Sequence, residues 1–160
     1  MTTLRDGAEG DVEACVALWL SAVAERDGIA LSEAGALRIR GKFDAPRVAW
    51  IVAVDGDTTV GFALVAESGL GFDGDPADAA YLSLLAVAPE GQGAGLGRRL
   101  LTAAVDAARA EGRPGVVLHV LTANETAVRL YRATGWVEVG EVRPHPVSGR
   151  PMQTYLLPLA

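Results

Sequence analysis

Apolar residues recur along this chain with two periods, one helical and one strand-like, and their alternation predicts an ordered series of elements. A short strand at Thr3 to Arg5 is followed by Asp11, which can cap a helix running to about Val23 with Val12, Val16, Leu20 and Val23 on one side. A second helix is predicted over Ser32 to Gly41. The segments Ala49 to Val54 and Thr59 to Ala66 are rich in β-formers and flank Asp55-Gly56-Asp57, a hairpin signal, so they should pair antiparallel.

Gly, Asp and Pro dominate from Glu67 to Ala79, which predicts a mobile loop. The apolar run Ala80 to Val87 is too continuous for an edge strand and reads as a central one covered on both faces. Pro89-Glu90-Gly91-Gln92-Gly93-Ala94-Gly95-Leu96-Gly97 comes next, leading into a helical pattern with Leu100, Leu101, Ala104, Val105 and Ala108 inward. Val116 to Val120 reads as another buried strand, and Asn124 caps a helix that Gly135 ends. Strands near Trp136 to Gly140 and Thr154 to Leu157, joined by a turn-rich loop, close the chain. The predicted fold class is α/β (α+β), a central mixed sheet of about seven strands with about four helices in the order β-α-α-β-β-β-α-β-α-β-β.

With 160 residues, half of them hydrophobic, the chain can bury about two thirds of its unfolded surface, and one domain over 1–160 is the expectation. No apolar run approaches the roughly 18 residues of a membrane span, and the N-terminus lacks the basic and apolar regions of a signal peptide. A cytoplasmic protein without a membrane partner is expected. The net charge of −6 argues against nucleic acid, whose binders carry a basic face, and is compatible with amines. The single cysteine, Cys15, lies in an apolar helical stretch and reads as a buried structural thiol.

The candidate chemistry sits in the glycine segment. Between a strand and a helix, such a loop points successive backbone N–H groups inward, and the helix start adds partial positive charge, so the nest suits a pyrophosphate. Arg98 and Arg99 in the first turn oppose the helix dipole, a penalty that an anionic ligand removes. A Walker loop would end in Gly-Lys-Ser or Gly-Lys-Thr, and a dinucleotide loop needs G-x-G-x-x-G; neither spacing is met. The residues match Q/R-x-x-G-x-G/A as Gln92-Gly93-Ala94-Gly95-Leu96-Gly97, directly after Leu85-Ala86-Val87-Ala88-Pro89. In this the chain resembles the GNAT superfamily of N-acetyltransferases, and the likeness continues through Leu118-His119-Val120, Asn124, Ala127, Leu130-Tyr131 and Gly135-Trp136.

The resemblance implies an enzyme that carries the acetyl group of acetyl-CoA, its cosubstrate, to a primary amine by direct attack in a ternary complex. It implies that Leu85, Ala86 and Val87 bond the pantetheine arm in a sheet-like manner, with the Val87 N–H at the acetyl carbonyl. The amides from Gln92 through Gly93, Ala94, Gly95, Leu96 and Gly97 to Arg98 would hold the pyrophosphate, and Asn124 is either a helix cap or a pantetheine contact. Tyr131 is implied as the general acid that protonates the departing thiolate; reference pKa values near 10 and 8.5 make that transfer uphill by roughly 2 kcal/mol. An alkyl amine is mostly protonated at pH 7, a cost near 4.6 kcal/mol, so something must take its proton. Some relatives carry a glutamate on the strand before the loop, where this chain has Tyr81, Leu82 and Ser83. The base is left open among Tyr81, Ser83, His119, Glu67 and water, although a lone strand histidine such as His119 is more often a packed, satisfied residue.

The acceptor is either a small-molecule amine or a protein N-terminus, and the resemblance allows a homodimer. With only His119 and His145, no metal cluster is expected, and no G-x-S-x-G supports a hydrolase. Asp73, Asp75 and Asp78 read as a solvated acidic loop rather than a calcium site. His145 to Pro151 forms a turn that either lines the acceptor pocket or is structural. The main rival function is a noncatalytic acyl-CoA-binding module.

Overall fold

The computed structural model describes residues 1–27, 33–89 and 92–159. Its elements are β1 (Thr2–Asp6), a short 3-10 turn (Glu9–Asp11), α1 (Val12–Asp27), α2 (Glu33–Asp44), β2 (Arg47–Asp55) and β3 (Thr58–Ala66). They continue with β4 (Ala80–Val87), α3 (Leu96–Ala110), β5 (Gly115–Leu121), α4 (Glu125–Ala133), β6 (Val137–Pro144) and β7 (Pro151–Pro158). The anticipated order of strands and α-helices is the order found. The strands form one seven-stranded sheet, β1-β2-β3-β4-β5-β7-β6, so β4 is central as its continuous apolar sequence requires.

Two helical layers cover the sheet. On one face α1 and α2 bury Cys15, Val16, Ile39 and Phe43 against Trp50, Val52, Phe62 and Leu64. On the other, Leu100, Leu101, Ala104 and Ala108 of α3 pack on Ala53, Ala63, Ala80 and Val116. The β2–β3 hairpin turns at Gly56, whose φ of +62° suits the first central position of a two-residue turn.

Three expectations are corrected. Asp11 is not set to cap α1: it ends the 3-10 turn, and its carboxylate reaches back to the Ala8 N–H at 2.9 Å and to Arg5 at 2.8 Å. The second helix runs on to Asp44, because Phe43 still contributes to the core; its anticipated start, Ser32, lies outside the described residues. The 67–79 loop is tied down rather than loose, since Phe72 and Asp75 both reach β5, as described below.

β4 contains the feature that shapes the site. Leu64 faces Leu84 while Val65 faces Leu82, which leaves Ser83 as an extra residue in a β-bulge. The bulge reverses the pleat: Leu82 packs on the α3 side, whereas Leu84 and Ala86 pack on the α1/α2 side. It also bends β4 away from its parallel neighbour. β4 and β5 pair only at Ala80–Val116 and Tyr81–Val117, and beyond that rung they part.

Candidate active site

The edge that β4 presents to this gap follows from the hydrogen-bond phase of its other edge. The Ala88 N–H donates to the Val60 carbonyl at 2.8 Å, and Gly61 stands opposite Val87. Antiparallel rungs alternate, so Ala88, Ala86 and Leu84 face β3 while the amides and carbonyls of Leu85 and Val87 face the gap. The Gln92 side chain confirms the phase by donating from Nε2 to the Val87 carbonyl at 3.1 Å. Ala86 therefore differs from its neighbours, with its backbone toward β3 and its side chain buried.

The glycine loop lies at the end of this edge. Gly93 and Gly95 have φ of +84° and +79°, left-handed values that turn the backbone sharply between extended β4 and helical α3. Gly95 is the residue that caps α3, with the Arg99 N–H donating to its carbonyl. Glu90 and Gly91 of the same motif lie outside the described residues. Leu96 sends its side chain into the core, while Gln92, Gly93, Ala94 and Arg98 are exposed. A Cβ on Gly97 would lie 3.7 Å from Leu130 and 3.8 Å from Val87, so the first turn of α3, α4 and the end of β4 meet there.

α4 is set by Asn124, whose Oδ1 accepts from the Ala127 N–H at 3.4 Å, the cap read from the sequence. One turn beyond Ala127, Tyr131 is 6% exposed, its ring 5.7 Å from that of Trp136 and 6.3 Å from that of Tyr155. It belongs to the core shared by Leu82 and Leu118, against which Leu85 and Val87 also pack. Tyr131, Gly97 and Val87 are thus brought to one side of the sheet, beside the gap, with Asn124 at the start of the same α4.

The proton acceptors considered from sequence are differently placed. Glu67 is held by Arg113 at 2.6 Å. His119 has both ring nitrogens engaged, Nδ1 with Thr154 Oγ1 at 2.8 Å and Nε2 with Asp75 Oδ2 at 2.9 Å, and its side chain is 3% exposed. Burial pushes its pKa down, against the opposing hydrogen bond and charge of Asp75. Burial pushes the Tyr81 hydroxyl up, and Asp75 adds to this. Ser83 is half-buried at the bulge.

Asp75 is where sequence reasoning fell short. Asp73 and Asp78 are exposed, but the Asp75 side chain is 9% exposed and also accepts the Phe72 N–H at 2.9 Å. Phe72 stacks on His119 with centroids 4.3 Å apart. Neither contact had a local signal, because the loop and β5 are distant in the chain.

A model of the Acetyltransferase (GNAT) family matches residues 16–136. The chain belongs to this family. The N-alpha-acetyltransferase RimI of Mycobacterium tuberculosis is similar, 37% identical over 107 residues that make up 66% of this chain and 63% of that protein. Among solved structures, a GCN5-related N-acetyltransferase from Kribbella flavida is 27% identical with a TM-score of 0.77, covering 99% of this chain and 98% of that one. YncA of Salmonella typhimurium, solved with its cofactor acetyl-CoA, shares the fold at 20% identity, with a TM-score of 0.76 and coverage of 100% and 95%. The chain spans less than two thirds of the length of the curated relatives it matches. Among the described residues of this GNAT chain, no helix is long and apolar enough to cross a membrane.

Proposed function

We propose that the chain acts as one N-acetyltransferase domain that moves the acetyl group of acetyl-CoA directly to an amine held in the same complex. The observation that carries this reading is the open edge of β4, where the backbone groups of Leu85 and Val87 face a gap that no β5 rung closes and that ends at a glycine nest. The YncA structure, with acetyl-CoA on the same fold, supports it.

Acetyl-CoA supplies the activated acyl group as a thioester. The backbone of Leu85 and Val87 binds an extended arm as a further strand would, and the Val87 N–H donates to the acyl carbonyl oxygen, an electrostatic contribution of about 3 kcal/mol where comparable donors have been removed. The amides of Gln92 to Arg98 hold the pyrophosphate, Asn124 fixes the start of α4 beside them, and the Tyr131 hydroxyl donates the proton that the leaving sulfur needs.

An α-amine is the acceptor that best fits the remaining residues, and a polypeptide N-terminus fits best among α-amines. A free N-terminal amine has a pKa near 8 against 10.4 for an alkyl amine, so freeing it at pH 7 costs about 1.4 rather than 4.6 kcal/mol. Deprotonation then needs no dedicated side-chain base, and water takes the proton. The engaged Glu67 and His119 support this, as does the name of the RimI relative, an N-alpha-acetyltransferase. The test is calorimetry with acetyl-CoA and with ATP, followed by CoA thiol release across an amine panel. Binding of acetyl-CoA without thiol release from any amine would instead favour the noncatalytic acyl-CoA-binding module.

A further inference from the structure

Around the gap, on the face carrying α1 and α2, stands a group of cations that the described acidic residues do not neutralise. Lys42 of α2 holds its ammonium 5.8 Å from the centroid of the Tyr81 ring, on the last β4 rung before the strands part. The Tyr81 ring is 5.9 Å from that of His119, His119 is 4.3 Å from Phe72, and the Arg143 guanidinium of β6 lies 5.5 Å over Phe72. His145 meets the edge of Phe72 at 6.5 Å. Arg38, one turn before Lys42 on α2, is close enough to depress the protonation of both Lys42 and His145, although burial is the larger cause for each.

Among the described residues, none of Arg38, Lys42 and Arg143 has an ion pair. Arg143 donates only to the Asp73 backbone carbonyl at 3.4 Å. The one buried carboxylate here, Asp75, is already committed to His119 and to the Phe72 N–H. Asp73 is exposed on the rim. In a protein of net charge −6, these three cations, without an ion pair among the described residues, form a local reversal of sign around the Phe72–His119–Tyr81 rings, and Arg143 is the one that lines a cleft. The cleft, about 360 Å³, is bounded by Phe72, Asp73, Arg143, Pro146 and Met152. The glycine nest opens on the opposite layer, at the start of α3, so this cluster does not serve the pyrophosphate.

We propose that Arg143, at the cleft, binds a carboxylate of the acceptor within the positive field that Lys42 and Arg38 add, so that the substrate is an α-amine with an acidic group close by. This rests on the transferase reading above and narrows its acceptor. The carboxylate has two sources: a free amino acid, or the side chain of an acidic residue near a polypeptide N-terminus. Arg143 offers a planar fork on an aromatic platform, which suits two-point carboxylate binding.

The test compares acceptors with and without this charge, each rate expressed per neutral amine because alanine's amine is more basic than alaninamide's. CoA thiol release is measured with Ala-Glu-Ala-amide against Ala-Gln-Ala-amide, alanine against alaninamide, and spermidine, on the wild type, Arg143→Gln, Arg143→Lys and Lys42→Gln. Acetyl-CoA affinity and thermal melts are followed in parallel. In the wild type the carboxylate-bearing member of one pair should have kcat/KM at least ten-fold above its uncharged twin, and which pair it is identifies the source. Arg143→Gln and Lys42→Gln should each shrink that ratio at least three-fold through KM, with kcat within two-fold and acetyl-CoA affinity unchanged, while Arg143→Lys keeps most of the preference. Ratios near one, a preference for spermidine, or folded variants that leave the ratio intact would overturn the inference while leaving the transferase reading in place. No thiol release from any acceptor, with acetyl-CoA bound, would defeat the transferase reading and this inference with it.

Discussion

Gln92 reaches back over the end of β4 and donates from Nε2 to the Val87 carbonyl at 3.1 Å, joining the glycine loop to the strand edge it follows. Replacing it separates the two functions of that region. Gln92→Ala should leave the melting temperature within about 2 °C, because the side chain is exposed, and should weaken acetyl-CoA binding about three- to ten-fold by loosening the loop. Calorimetry and a thermal melt on the same preparation check both halves.

Gly95→Val tests the nest more severely. A Cβ at Gly95 meets nothing within 4 Å, so space is not the obstacle; the φ of +79° is, and a β-branched residue tolerates it poorly. The variant should fold with a loss of about 1–2 kcal/mol and bind acetyl-CoA at least ten-fold more weakly. Normal binding by a folded variant would remove the loop from the site.

Tyr131→Phe keeps the ring packed on Trp136 and Tyr155 and removes only the hydroxyl. Turnover should fall roughly 10- to 1000-fold, the span of general-acid effects, with acetyl-CoA affinity nearly unchanged. Initial rates and equilibrium binding measured side by side check this. An unchanged kcat would take Tyr131 out of the chemical step.

Glu67→Gln should leave kcat within two-fold, since the carboxylate is paired with Arg113 rather than turned toward the gap. Its cost is to stability, about 1 kcal/mol or less for a partly exposed ion pair. A large loss of rate in a folded variant would restore Glu67 as the base.

His119 makes stability depend on pH in a defined interval. Burial lowers its folded-state pKa, against the pull of Asp75, so the unfolded chain takes up a proton at about 6.5 that the folded chain resists. The unfolded state then binds more protons, and stability falls as pH drops below that value. His145 acts in the same direction. Melts should lose temperature steadily from pH 7 to about 5, and His119→Asn, which cannot titrate, should lose less over the same interval.

The parts of this architecture that depend on neighbouring residues were readable from the chain. The boundaries of β4, Ala80 to Val87, and the inward face of α3 follow from runs of apolar residues, and Asn124 caps α4 as its position demands. The bulge at Ser83 was hidden because a continuous apolar strand looks the same with either face inward; the register of β3 reveals it. Asp75 was misread because its partner, His119, is 44 residues away and nothing local marks one aspartate of three as the buried one. Asp11 illustrates the same limit at short range, its carboxylate taken by Arg5 instead of the helix that follows.

The isolation of Cys15 has a practical consequence for every rate proposed above. Its side chain is fully buried, and burial pushes the thiol up to about 12, so at pH 7.5 fewer than about one molecule in ten thousand carries a thiolate there. Disulfide reagents react with thiolates, and CoA is the product they must report. The folded protein should therefore contribute almost no background colour, and a continuous spectrophotometric trace should read catalysis directly. The same reagent becomes an unfolding sensor on heating, because Cys15 reacts only once the layer of α1 and α2 has come off the sheet.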